Sequence, residues 1–197
     1  YYYQAVKVSE KTADSLFRGY VWNNLGNCYV GKEQYKTALN YYLKSLNKYH
    51  ELDTFTKNVI RVNENLGNVY MYLKNYPKSL EYFHKAMDQI ADSRDINMKA
   101  NIYNGIGEVY YEIDSFKKSQ KYLRKSLKIH KKLQDKHSIG EAYMSLASLA
   151  IKKRMADQAD RYLDSLNDIA KAHDYKKFFD EINFIRAKAK YLQNNYE

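Results

Sequence analysis

A few groups of residues in this chain have the types and spacing to do chemistry. Gly105-Ile106-Gly107 has the opening of a glycine-rich phosphate loop. That loop cradles phosphate only where a strand turns into a helix and a third glycine follows. Here no third glycine follows, and the flanking residues keep helical spacing. The five histidines (His50, His84, His130, His137 and His173) include no HExxH pair or other metal-ligand spacing. They read as surface or inter-helix residues. Cys28 is the single cysteine, which excludes a disulfide framework and an all-cysteine metal site. Its place between Asn27 and Tyr29 in an apolar-periodic stretch makes it a small buried hydrophobe rather than a reactive thiol. No catalytic set emerges, so the expectation is a non-enzyme with no metal and no cofactor.

Two further features could serve binding. The chain holds 22 tyrosines, enough to build a stacking platform for bases. Most of them recur at fixed offsets, however, and that regularity points to packing. The net charge is +10, and its densest source is Lys117 to Lys136. There Lys117, Lys118, Lys121, Arg124, Lys125, Lys128, Lys131, Lys132 and Lys136 face only Asp135, with Phe116, Leu123, Leu127 and Leu133 at helical spacing. Alone, such a helix could meet anionic lipid or nucleic acid. Its apolar stripe is the one that packs every repeat, so a solvated outer face is the leading expectation. Nucleic acid or a membrane surface ranks behind it.

Composition bounds the class. In 197 residues, 45% are apolar and 28% charged, as in an ordered protein. One proline and seven glycines exclude collagen-like and many-turned all-β designs. The longest apolar run, Ala142 to Ile151, is far short of a membrane span. The first residue is Tyr1 rather than Met, and the sequence reads as a piece of a longer protein.

The elements that position these residues come from internal repetition. Gly26, Gly67, Gly107 and Ala147 are 41, 40 and 40 residues apart. Around them run Trp22, Leu25, Tyr29, Tyr35, Ala38 and Tyr42; then Leu66, Tyr70, Tyr76, Ser79 and Phe83; then Ile106, Tyr110, Phe116, Ser119 and Leu123. The fourth copy is eroded to Leu146, Ala150, Ala156, Ala159 and Leu163. Each copy carries two runs of helical periodicity. A glycine inside the first run costs about 1 kcal/mol of helix propensity, which close approach of a partner helix would offset, with Ala38, Ser79, Ser119 and Ala159 opposite. Asp14, Asp53, Asp95, Asp135 and Asp174 recur before the first helices as caps, and Pro77 suits a first helical turn.

This pattern resembles the tetratricopeptide repeat, W-x2-LG-x2-Y…A…F…A, in a lengthened form of about 40 residues. The resemblance implies an all-α fold, a right-handed α-solenoid of antiparallel helix pairs. It places a second helix of a preceding repeat at 1–13, repeats at 14–52, 53–93, 94–134 and 135–173, and a lone first helix at 174–197. The ends, Tyr1, Tyr2 and the Phe178-Phe179 helix, would lack a stacked neighbour, so self-association through them is expected.

The resemblance also implies a concave groove lined by first helices. Its positions here are Tyr20, Asn23, Asn27 and Val30; Arg61, Glu64, Asn68 and Met71; Asn101, Asn104, Glu108 and Tyr111; and Glu141, Met144, Ser148 and Ile151, with Asn24 and Asn65 flanking. Asparagine is a poor helix former, yet its amide donates and accepts, which suits it to hold peptide backbone. Asn27 and Asn68 match two positions of the family's clamp for chaperone tails. Asn23, Asn104 and Glu108 replace its basic residues, and Glu108 would repel a carboxylate, so that ligand is not expected. The expected function is a non-catalytic protein- or peptide-binding module of a larger bacterial signalling or regulatory protein. A structural or oligomerisation scaffold is the first rival.

Overall fold

A computed structural model describes Gln4, Lys7 and residues 15–52, 57–90 and 95–194. These residues form α1 (Ser15–Val30), α2 (Tyr35–Glu51), α3 (Lys57–Tyr72), α4 (Tyr76–Gln89), α5 (Ile96–Glu112), α6 (Phe116–Leu133), α7 (Lys136–Lys152), α8 (Ala156–His173) and α9 (Lys176–Asn194). Among the described residues there is no strand. The expected helix at 1–13, together with Tyr1, Tyr2, Asp14 and Asp53, lies outside the described residues, apart from helical Gln4 and Lys7.

The chain divides into two compact units, residues 1–98 and 99–197. In the first, α1 pairs with α2 and α3 with α4, α2 packs on α3, and α1 also touches α3. In the second, α6 packs on α7, α7 on α8, and α9 on both α8 and α7. Within each unit this is the all-α architecture of antiparallel helix pairs found in α-solenoids.

One turn is built four times. Glu33, Lys74, Asp114 and Arg154 take φ between 56° and 58°, the left-handed region, and none is glycine. The next residue's N–H closes each turn: Gln34 to the Tyr29 carbonyl at 2.9 Å, Asn75 to Tyr70 at 2.8 Å, Ser115 to Tyr110 at 2.8 Å and Met155 to Ala150 at 2.9 Å. Satisfying these terminal carbonyls offsets the left-handed strain and reverses the chain within three or four residues. Capping then starts the next helix. The Asn75 side chain accepts from Lys78 N–H at 3.3 Å, with Pro77 in the first turn. Asp95 accepts from Met98 N–H at 3.0 Å and Asp135 from Ser138 N–H at 3.1 Å. Asp174 departs from the expected capping role. It ends α8 in the left-handed region at φ 51°, and its carbonyl accepts from Lys176 N–H.

The small residue of each first helix is where its partner presses closest. A Cβ on Gly26 would lie 2.3 Å from the Tyr42 ring, on Gly67 2.8 Å from Phe83, and on Gly107 2.8 Å from Leu123. Tyr42, Phe83, Leu123 and Leu163 are all fully buried. The side chain meeting the glycine is therefore four residues beyond Ala38, Ser79 and Ser119. Ser79 sits opposite as a hydrogen-bond donor, to the Gly67 carbonyl at 2.6 Å. Burial of a ring or leucine here contributes about 1.5–3 kcal/mol.

Burial on α9 and α1 follows from their packing. Phe178, on the helix expected to lack a further stacked neighbour, is only 2% exposed, because α9 lays it against Gly140 and the cluster that holds Leu166. Cys28 is half-buried rather than buried, since it borders the groove-facing side of α1.

The glycine contacts generate a stability test. Gly26→Ala should destabilise by about 1–3 kcal/mol despite its gain in helix propensity, because Tyr42 must move. Gly31→Ala, whose Cβ would meet only carbonyl oxygens at 3.6–3.7 Å, should change stability by less than about 0.5 kcal/mol. Urea unfolding of both variants makes the comparison.

Candidate functional site

The first helices carry the candidate groove, and the two units are taken in turn. In the first unit, α1 and α3 bring three asparagines into one cluster. Asn65 Nδ2 donates to Asn23 Oδ1 at 2.9 Å and to Asn27 Oδ1 at 3.3 Å. Tyr42 Oη, on α2, donates to Asn27 Oδ1 at 2.7 Å. Asn27 remains exposed, and its own NH₂ group makes none of these bonds. Asn23 is only 5% exposed and so is not an open groove residue. Its carbonyl is turned to Asn65, which ties α1 to α3 in place of an apolar contact.

Around this cluster Tyr20 and Arg61 are exposed, while Asn24, Asn68 and Met71 are half-buried. Glu64 is also half-buried, and burial pushes its carboxyl up to about 7, with Arg61 opposing the rise and Asp95 adding to it. Asn63, which spacing alone did not single out, is buried and donates to Gln89 Oε1 at 2.9 Å. It belongs to the packing of α3 on α4. Its signal was available, since Asn63 lies four residues before Gly67 on the buried side.

In the second unit, Asn104 Nδ2 donates to Glu108 Oε1 at 2.8 Å, and Ser145 Oγ of α7 approaches the same oxygen at 3.4 Å. Burial pushes the Glu108 carboxyl up to about 7, against these two hydrogen bonds and with Glu141 and Glu112 adding. Near neutrality Glu108 is half protonated, which softens the repulsion of anions expected of it. Asn101 is exposed and Tyr111 half-buried.

The tyrosines and lysines combine in a way that spacing alone did not disclose. Tyr29 stacks on Tyr41 at 5.3 Å, Tyr70 on Tyr82 at 5.4 Å and Tyr110 on Tyr122 at 5.7 Å, each bridging the two helices of a pair. Lys44, Lys85 and Lys125, one turn after the second ring, stand over it at 5.6, 4.7 and 5.5 Å. Lys118 covers Tyr110 and Lys131 covers Tyr143. Stacking and cation–π contacts of this kind contribute about 0.5–1.5 kcal/mol each. The basic run of α6 is exposed, with Lys118, Lys125 and Lys131 laid on rings of its own unit. The clue was a repeated Tyr-x11-Tyr-x2-Lys spacing.

Among the described residues, no three His, Cys, Asp or Glu side chains converge on a metal position, and no helix is long and apolar enough to cross a membrane.

Repeated helix pairs, a small residue under a ring, and a polar first-helix face define a helical-repeat protein. Tetratricopeptide-repeat models match residues 19–47 and 58–132, just over half the sequence, and the chain belongs to the tetratricopeptide-repeat family. No curated protein matches the sequence. Three solved structures show the same fold. A Rap protein complexed with Competence and Sporulation Factor is 16% identical, at a TM-score of 0.85 over 92% of this chain and 50% of that one. Aspartyl phosphate phosphatase F from Bacillus subtilis is 13% identical, at 0.81 over 90% and 46%. The Rap conjugation gene regulator of plasmid pLS20, in complex with the Phr* peptide, is 17% identical, at 0.79 over 100% and 52%. The chain spans about half the length of each.

The raised Glu108 carboxyl gives a pH test. Its folded value lies above the unfolded 4.5, so its contribution to stability is present below that and is lost as pH rises through about 7. Glu108→Gln keeps an acceptor for Asn104 and Ser145. It should be more stable than the parent by about 1–3 kcal/mol at pH 8, with the difference vanishing near pH 4.5. Urea unfolding at the two pH values reads this directly.

Proposed function

We propose that the chain is a non-catalytic module that binds a protein or peptide segment along its first-helix face, within a larger bacterial signalling or regulatory protein. The carrying observation is the Asn23–Asn65–Asn27 cluster. The Asn23 and Asn27 carbonyl oxygens are occupied by Asn65 and Tyr42, and the exposed Asn27 keeps an amide N–H pair for a ligand. Donors held in this way suit the carbonyls of an extended segment whatever its side chains. Asn68, one turn after Glu64 on α3, offers a second amide. The likeness to a Rap regulator in complex with a peptide supports a ligand of that kind.

The test begins with peptides selected against the immobilised chain from a random dodecapeptide display library and measured by calorimetry. Asn27→Asp with Asn68→Asp removes the donors but keeps the acceptor that Tyr42 and Asn65 use. Loss of two net hydrogen bonds of about 0.5–1.5 kcal/mol each should weaken binding roughly 5- to 150-fold. Stability should change little. Unchanged affinity in the double variant would place recognition elsewhere.

A further inference from the structure

The second unit holds an apolar pocket that the asparagine cluster does not involve. It has a volume of about 190 Å³ and opens between α5, α7 and α9. Its walls are Tyr111, Ile151, Ile185 and Phe184. Ile151 and Ile185 are buried at 7% and 4% exposure, whereas Phe184 is 66% exposed. An apolar cavity of about 150 Å³ is already large enough for a benzene ring. A wide-open aromatic beside it is apolar surface left uncovered.

The two charged residues of the lining are both lysines, Lys152 and Lys188. Lys152 is held as part of the wall. Its ammonium pairs with Asp114 at 2.6 Å, donates to the Tyr111 carbonyl at 3.0 Å and stands 4.4 Å from the Tyr111 ring centre. Lys188 is exposed at the rim, and the lining includes no acid to match it. A ligand here is therefore asked for one ring-sized apolar group and a neighbouring negative charge.

Resting on the reading of the chain as a peptide binder, we propose that this pocket of the second unit is a peptide subsite in its own right, taking one large apolar side chain flanked by a carboxylate side chain. The apolar group enters between Ile151 and Ile185 and is covered by Phe184, while the carboxylate meets Lys188. Register supports the assignment. Phe184 and Lys188 stand 40 residues after Met144 and Ser148, two positions of the first-helix face on α7.

The test uses the whole chain with labelled isoleucine methyls, titrated by NMR with the peptide acetyl-Gly-Glu-Phe-Asp-Gly-amide. Saturable shifts of Ile151 and Ile185 are expected. The analogue with Ala for Phe should bind about 10- to 150-fold more weakly, the loss of one buried ring. The analogue with Lys for both acids should bind about two- to fivefold more weakly, and Lys188→Glu should invert that charge preference. Ser148→Phe, which fills the pocket from its lining, should abolish the shifts while the circular dichroism spectrum is retained.

Shifts at the Asn27 and Asn68 side-chain amides without shifts at Ile151 and Ile185 would overturn the subsite and leave the groove reading standing. No saturable shift anywhere would also overturn the subsite, while the groove reading is decided by the display-selected peptides. Concentration-dependent shifts of the two methyls without any peptide would assign the pocket to a second copy of the chain and overturn the proposal.

Discussion

The close approach of the two helices in each pair is the constraint on which the other features depend. Gly26 lies so near the Tyr42 ring that a Cβ would stand 2.3 Å from it, and Gly67 and Gly107 repeat the contact with Phe83 and Leu123. Helices at that separation need a short reversal, and the turn supplies it by accepting left-handed backbone at Glu33, Lys74, Asp114 and Arg154. They also bring the flank residues together. Tyr29 and Tyr41 then stack almost parallel, at 6°, as do Tyr70 and Tyr82 at 12°. The lysine after each pair covers the outer ring and stays hydrated, a use of the amphipathic side chain that does not require a ligand.

Repetition of that contact fixes which side of each first helix is free. The glycine side is taken by the partner helix, and the apolar residues beside it, such as Leu25, Leu66, Ile106 and Leu146, are buried. What remains is a strip on which polar groups sit half in water. Partial burial raises the free energy of charge there, so Glu64 and Glu108 ionise near neutrality instead of in the ordinary carboxylate range. The same partial burial makes amides attractive, since they carry no charge to desolvate and can satisfy one another, as Asn23, Asn27 and Asn65 do.

Much of this was legible in the sequence because it rests on local rules repeated several times. Helical periodicity, the 40-residue spacing and the small residue in each first helix all follow from packing that every copy must satisfy. Pro77 and the capping Asp95 and Asp135 announced their helix ends. Asp174 misled because the same residue type serves both an N-cap and a left-handed C-terminus, and only the backbone decides between them. Asn23 misled, and Asn63 went unnoticed, for a different reason. Composition reports that a side chain is polar, not whether a neighbour 26 or 42 residues away will satisfy it inside the protein. The burial of Phe178 was not singled out either, because its cover comes from Gly140, seven residues before the small residue of the pattern.

The repeat thus separates two kinds of position. Residues that meet the partner helix keep to small on one side (Gly26, Gly67, Gly107 and Ala147) and large and buried on the other (Tyr42, Phe83, Leu123 and Leu163), because a void or an overfilled contact there costs stability. Residues in the two registers of the first-helix face change freely: Asn23, Glu64, Asn104, Met144 and Phe184 occupy one, and Asn27, Asn68, Glu108, Ser148 and Lys188 the other. Along the chain those registers pass from amides in the first unit to an aromatic and a lysine at the end of the second. A surface built in this way can change what it offers a ligand step by step, with no step disturbing the contact that holds its helices together.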